Sequence, residues 1–231
     1  MSLPEPGTIL VIQAHPDDAD ISSGASVARW CGEGERVVYV TCTSGEAGRS
    51  EPPLPPEELG VLREREERAA AAVLGVAEVR YLRHPDGGLT VTPALEQQIT
   101  DLILEFRPRR LVTHDPWSTG EGHPDHVHAG EAALAAMMAA ARAGHRSAEI
   151  YLYRSDAPNT AVDVAGTLDL KLAAVEQHRT QRSIGEAPAS AIEAWAAAAG
   201  ERWGLTRAEP FRVFDFDACA ALLAQSGEAA P

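Results

Sequence analysis

Thr8-Ile9-Leu10-Val11-Ile12-Gln13-Ala14-His15-Pro16-Asp17-Asp18 is the stretch on which the fold turns. Its first half is a short apolar, β-branched run, and its second half a polar turn, the pattern of a buried strand ending at a loop. A similar run, Arg110-Leu111-Val112-Thr113, precedes a second polar cluster, His123-Pro124-Asp125-His126. If the two runs are neighbouring parallel strands, both clusters arrive at the same carboxyl-terminal edge of one sheet. Open α/β sheets carry their chemistry at that edge.

Outward from this stretch, short apolar runs alternate with alanine-rich or charged segments. Strands are predicted over 8–13, 36–41, 78–82, 110–113 and 149–153, and helices over 24–33, 56–74, 93–106 and 126–142. Such alternation implies βαβ units: an α/β fold with a Rossmann-like, doubly wound, mostly parallel sheet and helices on both faces. After residue 163 the pattern becomes mixed, with helices predicted over 168–178 and 189–199 and a late strand over 211–214. We therefore expect one domain over 1–231, with an α/β core over 1–155 and a smaller C-terminal elaboration over 156–231.

Composition narrows the function classes. At 231 residues and 45% apolar content the chain can bury a substantial core. A formal net charge of −14 argues against nucleic acid or an anionic membrane as partner, because both call for basic surfaces. No stretch approaches the roughly 18 apolar residues of a membrane span. Met1-Ser2-Leu3-Pro4-Glu5-Pro6 lacks the features of a secretory leader, so a cytoplasmic protein is expected. Cys31, Cys42 and Cys219 form neither a zinc-binding spacing nor a disulfide framework and read as inert thiols.

The two clusters consist of residue types that bind a divalent ion and move protons beside it. Either alone could be only a turn, since Pro and Asp favour turns. Their recurrence after two strands favours chemistry. His15, Asp18 and His126 would supply two imidazoles and one carboxylate, leaving a fourth position open, as in catalytic zinc sites. Adjacent Asp17 and Asp18 cannot easily point the same way, which suits one ligand and one group facing substrate. A further histidine could stabilise an oxyanion and serve the leaving amine.

Ala14-His15-Pro16-Asp17-Asp18 together with His123-Pro124-Asp125-His126 resembles the LmbE-like (PIG-L) family of zinc-dependent N-acetylglucosaminyl deacetylases. Weaker matches follow in order along nearly the whole chain: Thr43-Ser44-Gly45-Glu46, the helix bearing Arg63, Pro85-Asp86-Gly87-Gly88-Leu89, Lys171 with His178 and Gln181, and Glu209-Pro210-Phe211-Arg212. The resemblance implies one Zn²⁺ per chain on His15, Asp18 and His126, with another divalent ion possible. It also implies Asp17 as general base, and His123 polarising the carbonyl and serving the leaving nitrogen. Asp125 would orient His123, and Arg63 and Asp86 would contact sugar hydroxyls. Glu46 and His178 join the expected substrate-binding set through the same resemblance. Where many members carry a glutamate after the first motif this chain has Asp20, expected to support a metal ligand.

Trp117 could stack on a sugar ring or pack in the core. His128 is expected behind the ligands or at the surface, and His84 and His145 at the surface. Arg63-Glu64-Arg65-Glu66-Glu67-Arg68 reads as a solvated helix face from which only Arg63 escapes. The expected partner is a small amino-sugar substrate, and a homo-oligomer is possible. Competing readings are a dinuclear metallophosphoesterase and a non-enzymatic sugar- or metabolite-binding protein with the same metal shell.

Overall fold

The computed structural model describes residues 7–120, 122–182 and 188–228. Five parallel strands, β1 (Thr8–Gln13), β2 (Arg36–Thr43), β3 (Glu78–His84), β4 (Arg110–His114) and β5 (Glu149–Tyr153), lie in the order β3-β2-β1-β4-β5. Helices α1 (Asp18–Gly32), α2 (Pro56–Leu74), α3 (Pro93–Phe106) and α4 (Pro124–Arg142) connect them. The sheet continues through β7 (Ala208–Asp215) and β6 (Thr160–Asp163), both antiparallel to their neighbours. The remaining helices are α5 (Leu168–Val175), α6 (Arg179–Arg182), α7 (Ala189–Trp203) and α8 (Phe216–Glu228).

Successive strand residues point to opposite faces, so β1 feeds two cores. Leu10 and Ile12 pack with Val38, Leu111, Ile150 and the helices α3 and α4. Ile9 and Val11 pack with Val37, Tyr39 and residues of α1, α2 and α5. Burial on both sheet faces explains why the strands read as continuous apolar runs rather than alternating ones. Cys42 is fully buried, and burial pushes its thiol up to about 12 and those of Cys31 and Cys219 to about 11.

The chain leaves β1 towards β2 and β3, then returns to the other side of β1 for β4 and β5. The strand order therefore reverses between β1 and β4, where a crevice opens above the sheet. Both His/Asp clusters follow those two strands.

Several expectations need correction. Helix α1 starts at Asp18 rather than Gly24, so the last aspartate of the first motif is already helical. Strand β4 runs one residue further than expected, carrying His114 to its end. Strand β6 and helices α6 and α8 had no clear sequence signal, and α5 stops short of His178. The charged run on α2 is not a solvated face: Glu64, Glu66 and Glu67 are buried with Arg63. Helix α2 is covered by α1, α5 and α6, so its acidic side chains find internal partners. Glu66 accepts from the Thr180 backbone N–H and hydroxyl, and Glu67 accepts from Gln13 and Thr41.

Among the described residues, no helix is long and apolar enough to cross a membrane.

Candidate active site

The sharp exit from β1 builds the first half of the site. His15 and Pro16 form the turn, and Asp17 caps α1 at φ 116°, ψ −23°, backbone that favours glycine. A side chain held in such a conformation indicates a position over-determined by its surroundings. The bend separates the two aspartates. Asp18 turns inward: its Oδ2 accepts from the His15 backbone N–H at 2.8 Å, and its Oδ1 lies 3.0 Å from His126 Nε2. Asp17 turns to the opposite wall, where Arg63 Nη2 stands 3.1 Å from its Oδ2.

Helix α4 delivers the second half. His123 is its N-cap, and its Nδ1 accepts from the Asp125 backbone N–H at 3.2 Å. His126, in the first turn of α4, faces His15 with Nε2 3.2 Å from His15 Nδ1. The close approach of α4 to β4 requires Gly130, because a Cβ there would lie 2.7 Å from the His114 carbonyl oxygen.

His15, Asp18 and His126 thus converge: their nearest donor atoms are separated by 3.0, 3.2 and 3.4 Å. Three donors at about 2.0–2.1 Å from one tetrahedral ion would stand about 3.3 Å apart, close to these separations, with Asp18 meeting His126 through Oδ1 and His15 through Oδ2 and also grouping with His114 and His126. His123 can join His15 and His126, so the donor cluster extends beyond the three nominated ligands. The far nitrogen of His15 is itself held: Nε2 lies 2.9 Å from Asp86 Oδ1 and 3.5 Å from Asp125 Oδ2. A carboxylate on the distal nitrogen of a ligating imidazole fixes its tautomer and orientation.

Burial, which alone would lower the pKa of His15, is outweighed by the Asp18 charge and by hydrogen bonds to Asp125, Asp18 and Asp86, and it is pushed up to about 12. Asp18 moves well below the usual carboxylate range: burial opposes this, but His126, His15 and His114 prevail. Asp86 and Asp125 are also lowered, against burial, chiefly by His15. His123 is lowered by burial and by the charges of His15 and His126. Since its Nδ1 already accepts a hydrogen bond, a neutral His123 carries its proton on Nε2.

A cavity of about 420 Å³ opens above the cluster, lined by His15, Asp17, Asp18, Arg63, Asp86, His123 and His126 of the expected residues. Arg63 also donates to the carbonyls of Gly45 at 3.0 Å and Pro16 at 2.8 Å. It crosses Gly45 to do so: that residue has φ +68°, and a Cβ there would collide with the guanidinium.

The other expected residues sit differently. Asp125 does not direct its carboxylate to His123. It accepts from the Gly87 and Leu89 backbone N–H groups and approaches His15, because its place in the first turn of α4 faces the loop after β3. Glu46 is not among the described residues lining the cavity: its Oε1 accepts from Asp86 N at 2.9 Å, while Asp86 Oδ2 accepts from Ala47 N at 2.9 Å. The pair zips two loops together. Trp117 likewise does not line this cavity. Its backbone N–H turns onto Asp115, and the ring packs beside Phe214 and under Arg212, on the far side of α4. His178 is buried behind the wall, with Nε2 2.7 Å from Asp20 Oδ2. Asp20 therefore supports His178 and Tyr39 rather than a ligand. His84, bonded to Gln98, and His145, against the Pro108 carbonyl, are both half-buried rather than at the surface.

Sequence reading missed His114, fully buried at the end of β4. Its ring stacks on His126, with centroids 4.3 Å apart and planes at 18°, and its Nε2 lies 3.3 Å from Asp18 Oδ2. The signal available was its place at a strand end one loop before the second motif. Arg154, Gln181 and Trp195 also line the cavity without having been assigned there. Only Gln181 had a hint, in the late motif.

The GlcNAc-PI de-N-acetylase (PIG-L) family matches residues 10–137. Diacetylchitobiose deacetylase of Thermococcus kodakarensis is 31% identical over 185 residues, 75% of this chain and 69% of that protein. The 1D-myo-inositol 2-acetamido-2-deoxy-alpha-D-glucopyranoside deacetylase of Kineococcus radiotolerans is 36% identical over 63% of this chain, which spans 49% of that relative's length. Among solved structures, N,N'-diacetylchitobiose deacetylase from Pyrococcus horikoshii superposes with a TM-score of 0.82 at 27% identity, covering 91% of this chain and 84% of its own.

Proposed function

The chain belongs to the PIG-L family, and from that membership and the site geometry we propose that it is a metal-dependent hydrolase removing the acetyl group from an N-acetylglucosamine-type amino sugar. The observation that carries the reading is the convergence of His15, Asp18 and His126 at the floor of a cavity that also holds a separate carboxylate, Asp17. The expected ion is Zn²⁺, one per chain, since two imidazoles and a carboxylate with an open fourth position suit it. An N/O donor set discriminates weakly, so another divalent ion fits the same shell.

When bound, the ion acidifies a water molecule and polarises the amide carbonyl. Asp17 takes the proton of the attacking water as its oxygen bonds to the acetyl carbon. Arg63, 3.1 Å away, holds that carboxylate in place and aims it. His123 directs Nε2–H at the carbonyl oxygen as negative charge builds there. The sequence expectation placed leaving-nitrogen protonation on His123 as well. The hydrogen bond from Asp125 N to its Nδ1 supports a division instead: His123 holds the oxygen, and the proton collected by Asp17 passes to the nitrogen as the C–N bond breaks. Acetate and the free amine leave. Asp86 also lines the cavity, so it can meet a sugar hydroxyl while holding His15.

The relatives named above are deacetylases, which favours neither a phosphoesterase nor a pure binding protein. Acetate release from a panel of N-acetylglucosaminides, with and without a chelator, tests the reading. Turnover that persists after complete metal removal, or a fully active Asp17→Asn enzyme, would reject it.

A further inference from the structure

Helix α1 begins without the side chain of its own N-cap. An aspartate in that position ordinarily turns its carboxylate onto the backbone N–H of the second or third helical residue. Asp17 makes no such bond; its carboxylate meets Arg63 at 3.1 Å instead. The second residue of α1 is Ala19, which is fully buried, and a buried N–H without an acceptor is costly.

The acceptor comes from the strand. Gln13, the last residue of β1 and itself fully buried, places Oε1 2.7 Å from the Ala19 nitrogen. Its amide is oriented from the other end, where Nε2 donates to Thr41 Oγ1 at 3.1 Å and to Glu67 Oε1 at 2.5 Å. Thr41 Oγ1 donates to the same Glu67 oxygen at 2.7 Å, which completes a closed, buried triangle. Turned over, the amide would set its NH₂ group against the Ala19 N–H, donor to donor. Gln13 does not line the cavity, so it acts on the chemistry only through what it holds.

The backbone of Asp17 belongs to the same arrangement. An N-cap residue ordinarily has β-region dihedrals, whereas Asp17 stands at φ 116°. Relaxation to the ordinary conformation would return the carboxylate to the helix end and take it from Arg63. We propose that Gln13, fixed by Glu67 and Thr41, is a positioning residue that caps α1 from β1 and so keeps the Asp17 carboxylate free for the cavity. The proposal rests on the deacetylase reading for the role of Asp17 as base.

Three substitutions separate the cap from packing. Gln13→Met keeps the volume and removes the acceptor. Gln13→Asn keeps an amide but is one methylene too short to reach Ala19. Gln13→Glu keeps an oxygen for Ala19 and, like Gln13→Met, loses the donor to Glu67. In acetate release by the metal-loaded enzyme from the best N-acetylglucosaminide of the panel, Gln13→Met and Gln13→Asn should each lower kcat by about 10–10²-fold, the cost of a misplaced reacting group. KM and metal content should stay near wild type, and Gln13→Glu should recover most of the loss. On an Asp17→Asn background Gln13→Met should cost nothing further, because the side chain it positions is already disabled. A crystal structure of Gln13→Met should show Asp17 turned from Arg63 to the start of α1, and Gln13→Asn carries the same readings if Gln13→Met does not fold. A loss that Gln13→Glu does not recover, a loss undiminished on the Asp17→Asn background, or Asp17 still on Arg63 in the variant structure would overturn the assignment. Wild-type enzyme that releases acetate from no N-acetylglucosaminide would instead overturn the deacetylase reading, and the variant structure would then decide the capping role by itself.

Discussion

The parallel half of the sheet and the C-terminal portion contribute to the same cleft in different ways. On the parallel side, every group at the His/Asp cluster leaves a strand end or the first turn of a helix: His15 and Asp18 after β1, Asp86 after β3, His114 at the end of β4, His126 in α4. On the C-terminal side, residues act through contacts or shape the walls. His178 holds Asp20 behind the wall, Lys171 and Glu209 pin β7 to α1, and Trp195 stands on an outer helix. Chemistry that tolerates little displacement sits on the rigid sheet edge, whereas the substrate walls come from elements added to it.

If that division is right, damage on the two sides should differ in kind. Asp18→Ala should produce the largest loss, with both metal content by elemental analysis and turnover falling to background. Asp17→Asn should lower kcat by about 10²–10⁴-fold while metal content stays at wild type, because only the base is removed. His114→Ala should weaken metal affinity by about 10–100-fold in a chelator competition, the usual cost of losing a group that orients a ligand.

On the other side, Lys171→Met should cost about 3 kcal/mol or more by leaving Glu209 charged and buried, lowering Tm by several degrees. Metal affinity of the folded fraction should not follow it down. If it does, the two regions are not separable as described.

The last effect is read as a pH dependence. Burial raises the Glu67 carboxyl to about 8, outweighing hydrogen bonds from Thr41 and Tyr81 that lower it. The folded state then holds a proton that the unfolded state releases above its ordinary value of 4.5. Glu67's stabilising contribution is complete below that value and is lost as pH rises towards 8, with a slope of at most about 1.4 kcal/mol per pH unit. Glu67→Gln should flatten that part of the Tm–pH curve, and an unchanged slope would show that another group is responsible.

Much of this molecule is legible without coordinates, and for particular reasons. The apolar runs of β1, β2, β4 and β5 are legible because strands buried on both faces admit few other residues. The ligand triad is legible because its members lie at the ends of two such runs. Strand β6 was not, since it is a four-residue strand on the sheet's antiparallel end, and helix α8, though amphipathic, was not expected either. Helix α2 misled in the other direction. Its Arg/Glu pattern looks like a solvent-facing surface, but the sequence of one helix carries no record of a second layer over it.

From residue order alone came the α/β class, the two His/Asp clusters and the expectation that they meet, because strand direction and side-chain chemistry are local properties. Tertiary structure alone decided that Asp17 faces Arg63 while Asp18 faces the histidines, that Asp125 serves His15, that Trp117 turns away, and that Trp195 faces the cleft. Each of these depends on side-chain direction across elements distant in sequence, and direction is settled only when the elements pack.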